Sequence, residues 1–202
     1  MPERKLRPLI VPIFIPNQGC PHRCIFCEQE KITSQHGEAI NRRHVERILD
    51  KAIHSKDFHL WRKPEIAFYG GTFTRLSLDL MEELLETASY YIKQWFFQSI
   101  RVSTRPDALD ENRLAVMRGF GVLTVELGAQ SMDEHVLKLS KRGHTAKDTV
   151  KAVQVLKRYG FRVGIQLMPG LPGDSRETFR STITKCRSPG SCSSCTSRRS
   201  PS

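Results

Sequence analysis

Along the chain, short apolar runs alternate with segments whose apolar residues recur every three or four positions. Leu9-Ile10-Val11-Pro12-Ile13-Phe14-Ile15 reads as a buried strand. Pro12, which has no amide proton to give to a ladder, places that strand at a sheet edge or a bulge. Val45, Ile48, Leu49, Ala52 and Ile53 then share one helical face. Glu65–Tyr69 is a short strand that stops at Gly70-Gly71, and Ser77 caps a helix striped by Met81, Leu84, Leu85, Ala88 and Ile92. A strand over Ser99–Thr104, a helix from about Asp110 to Arg118 and a strand over Val122–Leu127 follow. Ser131–Glu134 and Thr145–Asp148 resemble capping boxes opening helices on either side of Gly143. Phe161–Leu167 is the fifth strand, and Asp174 starts a helix that fades near Ile183.

Five β–α units in succession predict a parallel sheet with helices outside it, open or curled into a barrel. In either form, ligands belong at the carboxyl ends of the strands. The least ordinary residues fall there: Cys20–Cys27, Gly70-Gly71-Thr72, Arg105-Pro106-Asp107, Gly128–Ser131 and Met168–Gly173.

Composition changes this picture at one end. Residues 185–202 hold no aliphatic or aromatic side chain, so burial cannot offset the entropy of ordering them. The expectation is one domain over 1–184, incomplete at its C-terminal end, and a disordered tail over 185–202 foreign to it. That tail also inflates the charge. Of the formal +11, Lys185, Arg187, Arg198 and Arg199 supply +4, leaving +7 for the rest, a basic excess that leans toward a polyanionic partner. Trp61, Trp95, Phe96 and Phe97 read as packing residues, because no basic face interleaved with aromatics is visible in the linear order. His44 and His54 read as surface residues. No run reaches the roughly 18 apolar residues of a membrane span, and no signal peptide opens the chain. The protein therefore reads as cytoplasmic, with thiols available as ligands rather than disulfides.

Cys20-Pro21-His22-Arg23-Cys24-Ile25-Phe26-Cys27 sets three thiols within eight residues. Iron–sulfur clusters are normally held by four thiolates, so a set of three leaves one iron of a 4Fe–4S cluster open to an external ligand. Structural zinc is the competing reading, with His22, His36 or His44 as a fourth ligand.

The Cys20-x3-Cys24-x2-Cys27 spacing, with Phe26 before the last cysteine, resembles the signature of the radical S-adenosylmethionine enzymes. The likeness recurs at Tyr69–Phe73, Thr104–Asp107, Val125–Ser131, Arg142–Thr145 and Leu167–Gly173. It covers about residues 8–183. It is nearest to the branch of the elongator catalytic subunit's radical domain, with oxygen-independent coproporphyrinogen oxidases further off.

The resemblance implies a partial TIM-like (β/α)6 barrel, here ending after about five β–α units. It implies a 4Fe–4S cluster on Cys20, Cys24 and Cys27, and S-adenosylmethionine chelated to the open iron. One electron, from a donor such as a flavodoxin or ferredoxin, then yields a 5′-deoxyadenosyl radical that abstracts hydrogen from substrate. Phe26, Gly70, Gly71 and Thr72 would sit against the cofactor, Thr72 standing where many members carry Glu. Glu126 and Gln166 would contact its ribose, and Ser103 occupies a place where relatives often have Glu. Arg105 and Arg142 would pair with its carboxylate, and Met168 would wall the adenine. The branch and the charge point to tRNA modification without a membrane. The alternatives are coproporphyrinogen-type oxidative decarboxylation and, in a different class, a zinc-stabilised nucleic-acid-binding module.

Overall fold

Alternation within each strand sorts a single parallel sheet into two chemically distinct faces. The computed structural model describes residues 8–15, 24–27, 40–187 and 194–197, the last four as backbone. Among the described residues, six parallel strands lie in sequential order: β1 Ile10–Ile15, β2 Glu65–Gly70, β3 Ser99–Thr104, β4 Val122–Gln130, β5 Arg162–Leu167 and β6 Ser194–Ser197. The helices are α1 Arg42–Ile53, α2 Leu78–Lys93, α3 Glu111–Gly119, α4 Glu134–Leu139, α5 Ala146–Arg158 and α6 Arg176–Arg187.

On one face, Ile13, Phe68, Val102, Leu127 and Ile165 join the helical stripes of Leu49, Leu84, Met117 and Leu156 in one core. Burying each such side chain contributes about 1.5–3 kcal/mol. The residues between them point the other way, and there the sheet is polar: Glu65, Arg101, Ser103, Glu126 and Gln166 are buried or half-buried. A sequential parallel sheet with helices packed on one side is the partial (β/α)6 barrel expected, and its other side is the lumen.

Local signals act as their chemistry requires. Asn41, Ser77, Asp110 and Thr145 cap α1, α2, α3 and α5 through their side chains, Thr145 within a reciprocal box with Asp148. Ser131 does not open α4. Asp133 caps it, and Ser131 Oγ instead accepts the Asp133 amide at 3.1 Å. Pro12 lies in β1, which is the sheet edge.

Four expectations need correction. The last helix runs on to Arg187, and Cys186 on it is only 1% exposed, within the core. Ser194–Ser197 pair with Gly164–Leu167 as a sixth strand, so the ladder continues past five units. Backbone hydrogen bonds form a parallel edge without apolar side chains, which is why composition concealed it. The tryptophans are also misread: Trp61 is 61% exposed and Trp95 87%, and of that set Phe97 alone is buried. His44, expected at the surface, is buried beside Arg47.

Candidate active site

At the carboxyl end of the sheet, the turn that carries Cys24 and Cys27 lies against the segment after β4. The Cys27 amide donates to the Cys24 carbonyl at 3.0 Å, and the Ile25 amide donates to the Ser140 carbonyl at 3.4 Å. Cys24 is buried and Cys27 exposed. Cys20 lies outside the described residues, as do His22 and His36.

Arg142 organises the turn. Its Nη1 donates to Cys24 Sγ at 3.1 Å, its Nη2 donates to the Gly128 carbonyl, and its guanidinium carbon stands 5.8 Å from the centre of the Phe26 ring. Burial draws the Arg142 pKa down, and the Cys24 sulfur opposes that shift. Arg142 thus ties the Cys24 sulfur, the Phe26 ring and the end of β4 to one side chain.

Arg105 was expected to face a carboxylate ligand, but its fork is already engaged. Nε and Nη2 hold the two oxygens of Asp107 at 2.9 and 3.0 Å, and Nη2 also donates to the Arg142 carbonyl. Burial works to raise the Asp107 pKa, yet the hydrogen bonds and charge of Arg105 hold the carboxyl below its usual range. Arg105 is therefore a buried clamp on the backbone of Arg142.

At the end of β2, Gly70 has a φ of 107°, and a Cβ there would lie 2.5 Å from the Ile15 carbonyl oxygen. The Gly71 amide donates to that same oxygen at 2.8 Å. The close approach at this glycine pair is thus to β1 itself. Thr72, 1% exposed, follows as the first residue of the turn before α2.

Deeper on the lumen face, Arg101 bridges two carboxylates. Its Nε and Nη2 reach Glu65 at 3.0 and 2.6 Å, and its Nη1 reaches Glu126 at 2.6 Å. Burial pulls the Arg101 pKa down, but Glu65 and Glu126 outweigh it and raise the value. Ser103 pairs with Glu126 across the strands, and Gln166 pairs with Gly128. Gly164 leaves room beside the Glu126 side chain, since a Cβ there would stand 3.3 Å from its Cγ. The Met168 amide donates to the Gln130 carbonyl at 3.0 Å, tying the ends of β4 and β5. Cys24, Cys27, Phe26, Arg105 and Arg142 therefore meet at the mouth. Ser103, Glu126 and Gln166 lie on the polar face below, while Gly70, Gly71 and Thr72 form the end of β2 against β1.

Besides Arg142, the structure adds Gln130, His144 and Asp107 to the mouth, none of which the sequence marks as a site residue. Gln130 is buried in a left-handed conformation, φ 70°, with no partner for Oε1 among the described residues. Arg142 Nε is likewise unpaired, and neither ring nitrogen of buried His144 makes a well-formed hydrogen bond among the described residues. Asp107 completes the set. A side chain's orphaned atom leaves no trace in sequence, and only the short Gly128-Ala129-Gln130-Ser131 run marks the place.

His144 yields a pH prediction. Burial, with the charges of Arg142 and Arg105, pushes its pKa down to about 4. The unfolded chain then binds the proton first, so stability present above about pH 6.5 is lost as pH falls toward 4, by up to roughly 3 kcal/mol. Asp107 and Asp148 also face this ring and oppose the shift. Urea midpoints at pH 7 and pH 5 should diverge in wild type and converge in His144→Gln; an equal drop in both proteins assigns the loss elsewhere.

Comparison with known proteins identifies the family. Residues 14–186 match the radical SAM superfamily, and the chain belongs to it. That membership removes the zinc-module reading. A tRNA uridine(34) acetyltransferase of Methanocaldococcus infernus is 42% identical over 101 residues, 50% of this chain and 18% of that protein. Another, from Dehalococcoides mccartyi, is 28% identical over 78% of this chain and 40% of that protein. The solved structure of archaeal Methanocaldococcus infernus Elp3 with an N-terminal deletion superposes with a TM-score of 0.65 at 25% identity. That match covers 96% of this chain and 46% of the other. The chain thus spans less than half the length of these relatives. Among the described residues, no helix is long and apolar enough to cross a membrane.

The residues fit the two groups the family implies. A buried sulfur held by a cation suits a cluster thiolate, and Arg142 Nε and, at the end of β4, Gln130 Oε1 are orphaned polar atoms.

Proposed function

We propose that this domain holds a 4Fe–4S cluster on Cys20, Cys24 and Cys27 and binds S-adenosylmethionine at the mouth of the sheet, to modify tRNA. The observation that carries the reading is the Arg142 guanidinium set against Cys24 Sγ at 3.1 Å. Bound there, the cluster and S-adenosylmethionine together supply a 5′-deoxyadenosyl radical that takes hydrogen from substrate, while the protein orients them and keeps water out.

The protein's own groups divide the work. Arg142, fixed through its backbone by Arg105 and Asp107, keeps Nη1 on Cys24 and Nη2 on the Gly128 carbonyl, and offers its unpaired Nε to the cofactor. Phe26 shields that side. Gln130 Oε1 accepts from a hydroxyl of the ligand, and Met168 closes the wall beside it. Gly71 and Thr72 form the facing rim. Glu126, steadied by Arg101, sits with Ser103 and Gln166 below, where the substrate's reacting carbon must reach.

The relatives named for tRNA uridine(34) support a tRNA substrate, and a flavodoxin or ferredoxin in the cytoplasm is the matching electron source. Acetyl transfer is not carried over, since the matched stretch is a minor part of those proteins. The test is anaerobic: reconstituted protein with dithionite should release 5′-deoxyadenosine slowly alone and several-fold faster with unmodified tRNA. No release overturns the radical reading, whereas release indifferent to tRNA overturns the substrate.

A further inference from the structure

The two tryptophans are the chain's only ones, and both lie at the end of the sheet opposite the cysteine turn. Trp61 is in the short turn Leu60–Arg62 that enters β2, and Trp95 follows α2 on the way into β3. The two loops are joined. The Gln98 amide donates to the Pro64 carbonyl at 2.8 Å, and the Phe58 and Phe97 rings meet edge-on, 5.4 Å apart.

Nothing in the fold rewards a tryptophan at position 95. Its φ is 64°, a left-handed conformation that suits glycine and strains a bulky side chain, and 87% of the residue faces solvent. Trp61 is 61% exposed and lies flat against exposed His59, with ring centres 5.8 Å apart and planes within 16°. Tyr90 and Phe96, from the segment that carries Trp95, are exposed as well. Lys56, Arg62, Lys63 and Lys93 belong to the same two segments, and residues 54–64 and 89–98 hold one acid, Asp57. The nearby carboxylate of Asp50 is taken by the Tyr91 hydroxyl at 2.6 Å.

Exposed rings within a cationic rim form a stacking platform for unpaired nucleotides: flat faces receive bases, and lysine and arginine follow the phosphates. The sequence hides it because the aromatics and cations come from segments about thirty residues apart. We propose that this face, at the amino-terminal end of β2 and β3, binds a single-stranded stretch of RNA outside the reaction site. For the identity of the partner it rests on the tRNA reading above, but its readout is independent of the cofactors.

Because both tryptophans lie in the platform, intrinsic fluorescence reports on it directly. Titration of the whole protein with a twelve-nucleotide oligouridine at low salt should quench the emission, with affinity falling as salt rises. Trp95→Ala and Trp61→Ala should each weaken binding by about 5- to 100-fold, read by anisotropy of labelled RNA. Lys63→Ala should weaken it and reduce the salt slope by about one. Release of 5′-deoxyadenosine without RNA should be unchanged in all three variants, so loss of this binding and loss of the radical reaction are told apart. No quenching, or unchanged RNA affinity in the Trp61→Ala/Trp95→Ala double variant, overturns the proposal. So does an emission shift with anionic phosphatidylserine vesicles but not RNA, which makes the face a membrane contact. Concentration-dependent self-association that the double variant abolishes likewise overturns it, in favour of a protein contact.

Discussion

Cys24→Ala protein, reconstituted with iron and sulfide without oxygen, is expected to hold no iron above background and to lack the brown absorption of the wild type. The wild type should load about four irons per chain. Removing one of three thiolates leaves a cluster without the ligand number it needs. In addition, Arg142, whose Nη1 reaches the Cys24 sulfur at 3.1 Å, is left as a buried cation without that partner. Cys20→Ala and Cys27→Ala should fail in the same way. Cys186→Ala separates ligand from packing. That thiol is 1% exposed inside the core, so its loss should lower stability by about 1–2 kcal/mol while iron content stays intact. Equal iron in wild type and Cys24→Ala would remove the assignment.

The fold was legible because its signals are local and repeated. Each of the first five strands carries apolar residues in a run or at alternate positions, and α2 and α5 each carry a stripe and a cap. Ser77 and Thr145 take up the capping positions their spacing announces. Pro12 announces an edge, and β1 is one. The sixth strand was not legible because ladder pairing at an edge needs backbone alone. Trp95 differs for another reason: a large apolar residue is normally core, but here it stands in a left-handed turn, 87% exposed.

At the site, sequence carries identity and spacing but not pairing. The cysteine spacing and Arg142 could be read. That Arg105 would turn from the ligand to Asp107 and the Arg142 carbonyl could not, since both arginines look alike on the page. The Glu65–Arg101–Glu126 bridge joins three strands, and its one linear trace is the alternation that sets Arg101 opposite the core face. Charges at every second position of buried strands point into a lumen, and that cue extends to other parallel sheets of this kind.

Gly70→Val is expected to be the most damaging substitution at any glycine of the sheet. Two independent costs meet there. The φ of 107° is disfavoured for any L side chain, and a Cβ would lie 2.5 Å from the Ile15 oxygen and 3.1 Å from the Ile15 nitrogen. Those atoms are backbone of β1, and the Ile15 oxygen also accepts the Gly71 amide. They cannot swing aside as a side-chain tip would. Relief requires β1 to peel from β2, and β1 carries the chain directly toward the cysteine turn. The loss should be at least about 3 kcal/mol, and iron loading should fall with it even though no ligand has changed. Gly119→Ala is the matched control. It ends α3 with nothing within 4 Å of its added Cβ, so it should be neutral or stabilise by up to about 1 kcal/mol. Urea denaturation of both variants before reconstitution separates the cases. If Gly70→Val unfolds at the wild-type midpoint, the rim between β1 and β2 is not held as tightly as this contact requires.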